Sequence, residues 1–290
     1  MSQSEFSFAS PLVQGYWRMA HWEMTAQQRL SFIKQHVELG MSCVDHAPVY
    51  QSEALFGEAL ALEPSLRQQL QVISKCGIIP GQGDKVAHYN SSKAEIIGSV
   101  DNSLRNLGVE KLDLLLIHRP DILMQADEVA EAFNQLQGAG KVAHFGVSNF
   151  NTADFDLLQS RLDAPLVTNQ IEINPLNLQA TEDGTLAQMQ QYKVRPMAWS
   201  CLAGGQLFNG ESEQAQRVRQ TLAQVAQEIG ASCIDQVAYA WVMKLPANPV
   251  PIIGSGKIER VKLALQALEL NLNHEQWYRI WTAAKGHGVA

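Results

Sequence analysis

The chain has few cysteines and no long apolar run, and both shortages limit what it can be. Only four of its 290 residues are cysteine, and none forms a C-x-x-C pair or another zinc-ligand spacing. We therefore expect reduced thiols and no metal site. No stretch reaches the roughly 18 consecutive apolar residues of a membrane-spanning helix. The N-terminal segment MSQSEFSFASPL also lacks the basic start and apolar run of an export signal. A cytoplasmic protein without a membrane partner is expected.

Positive charge is also scarce, since 22 Lys and Arg oppose 29 Asp and Glu for a net charge of −7. A nucleic-acid or anionic-membrane surface needs a concentrated positive field, so the charge argues against both partners and neither is expected. No Pro, Gly or Ser-rich linker interrupts the chain, and its 46% hydrophobic content can bury a large core. The sequence thus predicts a single domain over residues 1–290, expected to be a monomer.

Short apolar segments alternate with helical patterns along the whole chain. The predicted strands are LVQGYW, SCVDHA, QVISKC, DLLLIH, VAHFGVS, LVTNQI, RPMAWS and VPIIG. The predicted helices cover residues 25–39, 53–61, 93–107, 127–138, 152–160, 183–191, 213–229, 232–244, 257–268 and 275–284. Eight strands that read as buried on both faces, with helices between them, predict an α/β fold. Its expected form is a single (β/α)8 TIM barrel of parallel strands with the active site at the C-terminal rim.

Side chains that can hold or move a proton follow three successive predicted strands. CVDHAPVY carries Asp45 and Tyr50, VISKC carries Lys75, and LLLIHRP carries His118. In a barrel these strand ends share one rim, so the four side chains are expected to be neighbours. An ammonium group would stabilise a phenolate and lower the pKa of Tyr50, whose ordinary value is about 10. Such a site is suited to giving a proton to a carbonyl oxygen.

A purely structural interpretation of each residue stays open. Lys75 at the end of a buried strand needs an anion nearby, and an ion pair with Asp45 would satisfy it without any catalysis. Each of the four residues, taken singly, is more often structural than catalytic. Four suitable types at three successive strand ends favour a site over coincidence.

The motifs together resemble one known family. The segments GMSCVDHAPVYQSEALFG, VISKCG, LLLIHRP, LQGAGKVAHFGVSNF and VTNQIEIN are similar to the successive signatures of the aldo-keto reductases, from about Gly15 to Ala267. The resemblance implies a (β/α)8 barrel that uses NADPH/NADP+ without a Rossmann domain and reduces aldehydes or ketones to alcohols. In agreement, no G-x-G-x-x-G follows a predicted strand. It also implies the tetrad Asp45, Tyr50, Lys75 and His118, with Tyr50 as general acid.

The resemblance further implies a set of cofactor-binding residues. Ser148, Asn149 and Gln170 match the positions that hold the nicotinamide carboxamide, and Trp199 matches the aromatic position that stacks on the ring. Positions around the pyrophosphate and near the first strand are matched by Ser200, Leu202, Gly204, Trp17 and Arg18. Strand-ending polar residues and a core tryptophan are the ordinary alternatives.

A candidate phosphate site lies in IIGSGKIERVK. Ser255, Lys257 and Arg260 follow the last strand at a helix N-terminus, where backbone N–H groups favour an anion. Arg260 can bind a 2′-phosphate through two parallel hydrogen bonds, which favours NADPH over NADH. The alternative is a solvated helix face. The chain departs from the family pattern at His46, Gly254, Leu263 and Ala264, which weakens the case for a strictly NADPH-selective site.

Two other functions remain as alternatives. One is an NADP(H)-binding, redox-sensing regulatory subunit with slow turnover, and the other is a metal-dependent barrel hydrolase that uses Asp45, His46 and His118. The small-molecule carbonyl substrate cannot be identified from the sequence. Rim-loop position alone suggests that the substrate pocket includes Trp22, His88, Tyr89 and Leu176. Cys76 and Cys201 adjoin the predicted rim, so modification of either thiol could disturb the site.

Overall fold

The computed structural model describes residues 6–290. Residues 1–5 lie outside this range. They begin the N-terminal segment MSQSEFSFASPL, in which no export signal is expected. The described residues group into two units: one runs to Gln170 and includes Gly254–Ile258, and the other contains Ile171–Ile253 and Glu259–Ala290. The expectation of one domain over residues 1–290 stays a prediction. Within the described range, no helix is both long and apolar enough to cross a membrane.

The barrel strands follow the predicted order. The eight barrel strands are β1 Val13–Gly15, β2 Cys43–Asp45, β3 Gln71–Cys76, β6 Leu112–Ile117, β7 Val142–Ser148, β8 Asn169–Glu172, β9 Met197–Trp199 and β10 Val250–Ile253. They are parallel and close in the order β1-β10-β9-β8-β7-β6-β3-β2. The prediction of a (β/α)8 barrel is therefore confirmed.

A short antiparallel hairpin lies between β3 and β6. Its arms are β4 Ile78–Ile79 and β5 His88–Tyr89, which pair Ile78 with Tyr89. The sequence predicts only a loop over residues 76–92. Arms of two residues are too short to show the alternation that identifies a strand.

The helices lie between the strands and after β10. Among the described residues they are α1 Ala26–Glu38, α2 Glu53–Ala61, α3 Lys93–Leu107, α4 Ala126–Gly138, α5 Thr152–Gln159, α6 Gln179–Glu182, α7 Thr185–Tyr192, α8 Gln206–Asn209, α9 Glu213–Ile229, α10 Ile234–Met243, α11 Ile258–Gln266 and α12 His274–Lys285. Short 3₁₀ turns occur at Met19–His21, Pro48–Tyr50, Pro64–Gln69, Ala203–Gly205 and Ala267–Glu269.

Capping residues explain why several helices begin where they do. Thr25 and Gln28 form a capping box at the start of α1, and the Ser92 side chain accepts a hydrogen bond from Glu95 N at the start of α3. The predicted helix 183–191 corresponds to α7, and the short helix α6 before it is not predicted from the sequence. Gly184 separates them, with a φ of 87° that interrupts the right-handed conformation.

The register of the strands brings the expected residues to one end. Asp45 pairs with Ile73 across β2 and β3, and Lys75 pairs with Leu116 across β3 and β6. His118 follows β6 directly, and its N–H donates to Cys76 O. The strand interiors are apolar, since Leu114, Leu115, Leu116 and Ile117 are all fully buried. Polar side chains therefore collect where this apolar core ends.

Candidate active site

A buried ion pair forms the centre of the site. Lys75 Nζ donates to Asp45 Oδ1 at 2.8 Å, to Asp45 Oδ2 at 2.7 Å and to the His46 carbonyl oxygen at 2.8 Å. Lys75 is fully buried. Burial acts to lower the pKa of Lys75, but the charge of Asp45 and the phenol of Tyr50 outweigh it and raise the pKa above its usual value. The three N–H bonds of the ammonium group thus all have acceptors.

Tyr50 lies at the end of the 3₁₀ turn that follows β2. Its hydroxyl is 3.3 Å from His118 Nε2, and Lys75 Nζ is 4.8 Å from the centre of its ring. Burial raises the pKa of Tyr50 above its usual value, while the positive charge of Lys75 acts in the opposite direction. The sequence predicts the effect of Lys75 but not the larger effect of burial. The phenol consequently stays protonated at neutral pH and available as a proton donor.

His118 is neutral in this environment. Burial, followed by the charges of Lys75 and Arg119, lowers the pKa of its imidazole to about 2. Its ring meets the Tyr50 ring edge-on, with centroids 5.5 Å apart. A neutral imidazole offers one donor and one acceptor nitrogen, so His118 can hydrogen-bond Tyr50 or a bound oxygen but carries no charge at pH 7.

Ser148 at the end of β7, Asn149 after it and Gln170 within β8 form a hydrogen-bonded amide cluster. Ser148 Oγ donates to the Gln170 carbonyl oxygen at 2.9 Å, and Asn149 Nδ2 donates to Ser148 Oγ at 2.8 Å. Asn149 has a φ of 60°, which Asn tolerates better than most residues. Gln170 Nε2 donates to Asp45 Oδ1 at 2.9 Å. The cluster therefore contacts the ion pair directly.

His46 contributes to this centre through its backbone only. Its imidazole turns away from Lys75 and stacks on the Tyr16 ring at 4.8 Å, while Nδ1 lies 3.2 Å from Ser52 Oγ. Burial and the charge of Lys75 lower the pKa of His46 to about 3. Of the residues of the hydrolase alternative, Asp45 is bonded to Lys75 and Gln170, while His46 Nε2 is buried without a hydrogen-bond partner within residues 6–290.

Two side chains of the same unit contact the loop that follows β10. Gln14 Nε2 donates to the Ser255 carbonyl oxygen at 3.1 Å. A Cβ built on Gly256 would lie 2.5 Å from the Trp22 ring, so only glycine fits against that ring. Trp22 also packs on Tyr16 and Phe32, and the suggestion that it lines a substrate pocket stays a prediction.

The remaining predicted cofactor residues lie on the expected loops. Trp17 is 59% exposed, with the Arg18 guanidinium carbon 4.9 Å from its ring centre. Trp199 ends β9 and is half-buried, and it is followed by Ser200, Cys201 and Leu202. Gly204 has a φ of 64°, and a Cβ built there would meet nothing within 4 Å. Open space therefore adjoins this backbone.

The two predicted phosphate-binding cations are exposed. Within residues 6–290, neither the Lys257 ammonium nor the Arg260 guanidinium makes an ion pair or a side-chain hydrogen bond. A Cβ built on Gly254 would also meet open space. Ala264, by contrast, is fully buried and belongs to the core.

The structure also locates Leu176, Cys76 and Cys201, which the sequence places near the rim. Leu176 lines a cavity of about 590 Å³ with Gln214 and Lys285, inside the second unit. Burial raises the pKa of the Cys76 and Cys201 thiols, that of Cys201 to about 12. Both thiols are therefore protonated and inaccessible, and the expected sensitivity to thiol modification is not supported.

Sequence reasoning misses the residues that shape the rim. Asp121 Oδ2 accepts from both the N and the Oγ of Ser91 at 2.9 Å, which ties the loop after β6 to the end of the hairpin segment. Beyond it, Ile122 and Leu123 are 99% and 84% exposed. The P-D pair in HRPDIL is the one signal of a turn there.

The barrel of eight parallel strands is closed, and an ion pair, a phenol and an imidazole lie at its strand ends. This arrangement is that of a (β/α)8-barrel enzyme. The chain belongs to the aldo-keto reductase family of oxidoreductases, since the model of the Aldo/keto reductase family matches residues 11–285. It is 54% identical to Oxidoreductase YdhF of Escherichia coli over 97% of this chain and 95% of that protein.

One further relative agrees with this family, and one solved structure agrees with its fold. The 6-dehydroglucose reductase of Agrobacterium fabrum is 37% identical over 97% of this chain and 96% of its own length. A crystal structure of an aldo/keto reductase from Klebsiella pneumoniae, in complex with NADP and acetate, has a TM-score of 0.77 and 24% identity, and covers 93% of this chain and 90% of that one. The latter comparison shows the fold alone.

Proposed function

We propose that this protein reduces an aldehyde or ketone to an alcohol with NADPH, and that Tyr50 donates the proton. The observation that carries the proposal is the position of the Tyr50 hydroxyl, 3.3 Å from a neutral imidazole and beside a buried ammonium group. When bound, NADPH supplies the hydride that forms the new C–H bond. Tyr50 supplies the proton that completes the alcohol O–H as the C=O π bond breaks.

The other members of the site act on Tyr50. Lys75 stabilises the phenolate left after proton transfer, because its charge acts to lower the pKa of Tyr50. His118 is neutral and can orient the carbonyl oxygen through a hydrogen bond without competing as the acid. Asp45 keeps Lys75 charged while it is buried.

The residues present fit a dinucleotide in three ways. The Ser148, Asn149 and Gln170 cluster offers buried donors and acceptors that suit a carboxamide. Backbone next to open space at Gly204 suits the close approach of a pyrophosphate. Unpaired Lys257 and Arg260 suit a 2′-phosphate. By the family resemblance, Trp17, Arg18, Trp199, Ser200, Leu202 and Ser255 would complete the set.

The substitution Tyr50→Phe tests the assignment, because it removes only the hydroxyl. We expect turnover to fall by at least about 10²-fold while NADPH binding is kept. Turnover is measured by loss of NADPH absorbance, with NADH in parallel, on aryl, aliphatic and sugar aldehydes. Sugar aldehydes are included because the Agrobacterium relative is named for reduction of 6-dehydroglucose.

Tyr278→Phe is the matched control, since Tyr278 is an exposed tyrosine of α12 and the same atom is removed. Its turnover should equal that of the wild-type protein. Undiminished turnover in Tyr50→Phe would remove Tyr50 from its proposed role. Equal rates with NADH and NADPH would refute the assignment of the 2′-phosphate site.

A further inference from the structure

Asp45 is held by two partners of different kinds. Its carboxylate accepts from the charged Lys75 ammonium at both oxygens, and from the neutral Gln170 amide at Oδ1. Among the described residues, no other side chain donates to this carboxylate. Asp45 and Gln170 are each 3% exposed. With so little water access, the direction and charge of the Asp45 carboxylate depend on these two donors.

We propose that Gln170 is a positioning residue of the tetrad, which orients Asp45 and so sets how much positive charge Lys75 presents to Tyr50. This inference rests on the proposed function. It adds a second action to the expected contact of Gln170 with the nicotinamide carboxamide. One side chain then links the cofactor pocket to the group that delivers the proton.

The geometry of Lys75 explains why Asp45 matters to Tyr50. Each N–H of the ammonium group already has an acceptor, in the Asp45 carboxylate or the His46 carbonyl. Lys75 therefore acts on the phenol mainly through its charge, and a side-chain hydrogen bond between the two contributes less. That charge is diminished by whatever negative charge Asp45 places beside it.

Gln170 competes with Lys75 for Asp45 Oδ1. A hydrogen bond from a neutral amide disperses part of the carboxylate charge. Without this donor, Asp45 would neutralise Lys75 more completely and the phenolate of Tyr50 would be less stable. The charged and titratable groups that face Tyr50 are Asp45 from β2, Lys75 from β3, and His118 and Arg119 after β6. Altering Gln170 changes only the balance of charge between Asp45 and Lys75.

The experiment compares Gln170→Met with Ser148→Ala. Methionine is of similar length but has no donor, and Ser148 belongs to the same amide cluster without touching Asp45. We expect both substitutions to weaken NADP+ binding, measured by quenching of tryptophan fluorescence. The discriminating readout is the pH dependence of kcat at saturating NADPH. Its basic limb should move up by about half a pH unit in Gln170→Met and stay in place in Ser148→Ala.

Two results would overturn the positioning role. If the limb of Gln170→Met coincides with that of the wild-type protein while NADP+ binding weakens, Gln170 serves the cofactor alone. An equal shift in Ser148→Ala would assign the effect to a misplaced cofactor. Should Gln170→Met not fold, Gln170→Glu replaces it, since a second carboxylate beside Asp45 must move the limb further in the same direction.

A measurement without cofactor separates this inference from the proposed function. Urea unfolding of Gln170→Met, Asp45→Asn and the double variant forms a thermodynamic cycle. We expect non-additive shifts in midpoint, and additive shifts would refute the contact itself. Wild-type protein that reduces no carbonyl in the panel would instead overturn the proposed function, and the catalytic part of this inference with it.

Discussion

Two salt bridges of this protein are similar in geometry and opposite in setting. Lys75 and Asp45 pair at 2.7 Å with side chains 0% and 5% exposed. Arg279 of α12 donates to Glu275 at 2.9 Å and to Glu228 of α9 at 3.2 Å, with side chains 32%, 67% and 39% exposed. Both cations have several carboxylate contacts. Only the first is out of reach of water, and that difference decides what each can do.

Solvent access determines how far a charge acts on its neighbours. Water around Arg279 screens its field, so the pair contributes little and affects nothing beyond its own carboxylates. Lys75 has no such screening, and its charge reaches the phenol of Tyr50 and the imidazole of His118. Burial thus turns an ordinary ion pair into a device that sets the protonation of adjacent groups. Breaking each pair should show the contrast directly.

The largest effect is expected from Lys75→Met. The substitution leaves the Asp45 carboxylate buried without a cation, which should cost about 3–5 kcal/mol of unfolding free energy. It also removes the charge that stabilises the Tyr50 phenolate, so turnover should fall by at least about 10²-fold. Urea unfolding and NADPH oxidation measure the two losses separately.

The double substitution Lys75→Met with Asp45→Leu is the control for this result. Replacing both ions by apolar side chains removes the unpaired charge, so much of the lost stability should return. Turnover should not return with it. A single variant as stable as the wild-type protein would show that Asp45 is not an isolated buried charge in the absence of Lys75.

The sequence predicts the parts of the fold that local signals control. Helix 53–61 and helix 213–229 have the predicted bounds, the second because Ser212 caps its start and Gly230 takes a φ of 71° at its end. The strand predicted as LVTNQI begins only at Asn169. Strand ends depend on the pairing partner, here Val147 with Asn169, which no local pattern encodes.

The candidate site shows the same limit. The types and order of Asp45, Tyr50, Lys75 and His118 are visible in the sequence because each follows a strand. The bond between Gln170 and Asp45 is not, since it joins residues 125 positions apart through two side-chain conformations. The net rise in the Tyr50 pKa is also hidden, because burial depends on the surrounding packing.

A smaller loss of stability is expected on acidification, and it comes from a buried histidine rather than from an ion pair. His36 Nδ1 lies 2.7 Å from the Met41 carbonyl oxygen, so this nitrogen carries the proton and Nε2 accepts from Tyr16. Burial lowers the pKa of His36 to about 4. Below the unfolded value of about 6.5 the unfolded chain binds a proton that the native state does not, so stability falls as pH drops.

The substitution His36→Gln measures this contribution. Glutamine can donate and accept but cannot titrate, so the loss of roughly 3 kcal/mol between pH 6.5 and pH 4 should disappear from the acid limb. Urea unfolding at pH 7, 6, 5 and 4.5 gives the slope for both proteins. Parallel curves would mean that His36 binds its proton equally in the native and unfolded states.

The smallest effect is expected from Arg279→Ala, which breaks the exposed network. The hydrogen bonds from Arg279 hold the pKa values of Glu228 and Glu275 below their usual range. Such a contribution is present at neutral pH and is lost as pH falls through those lowered values. Because water screens all three groups, the urea midpoint at pH 7 should move far less than in Lys75→Met, with kcat and KM unchanged. The residual shift should vanish in 1 M salt, whereas that of Lys75→Met should persist, because mobile ions reach only the exposed pair.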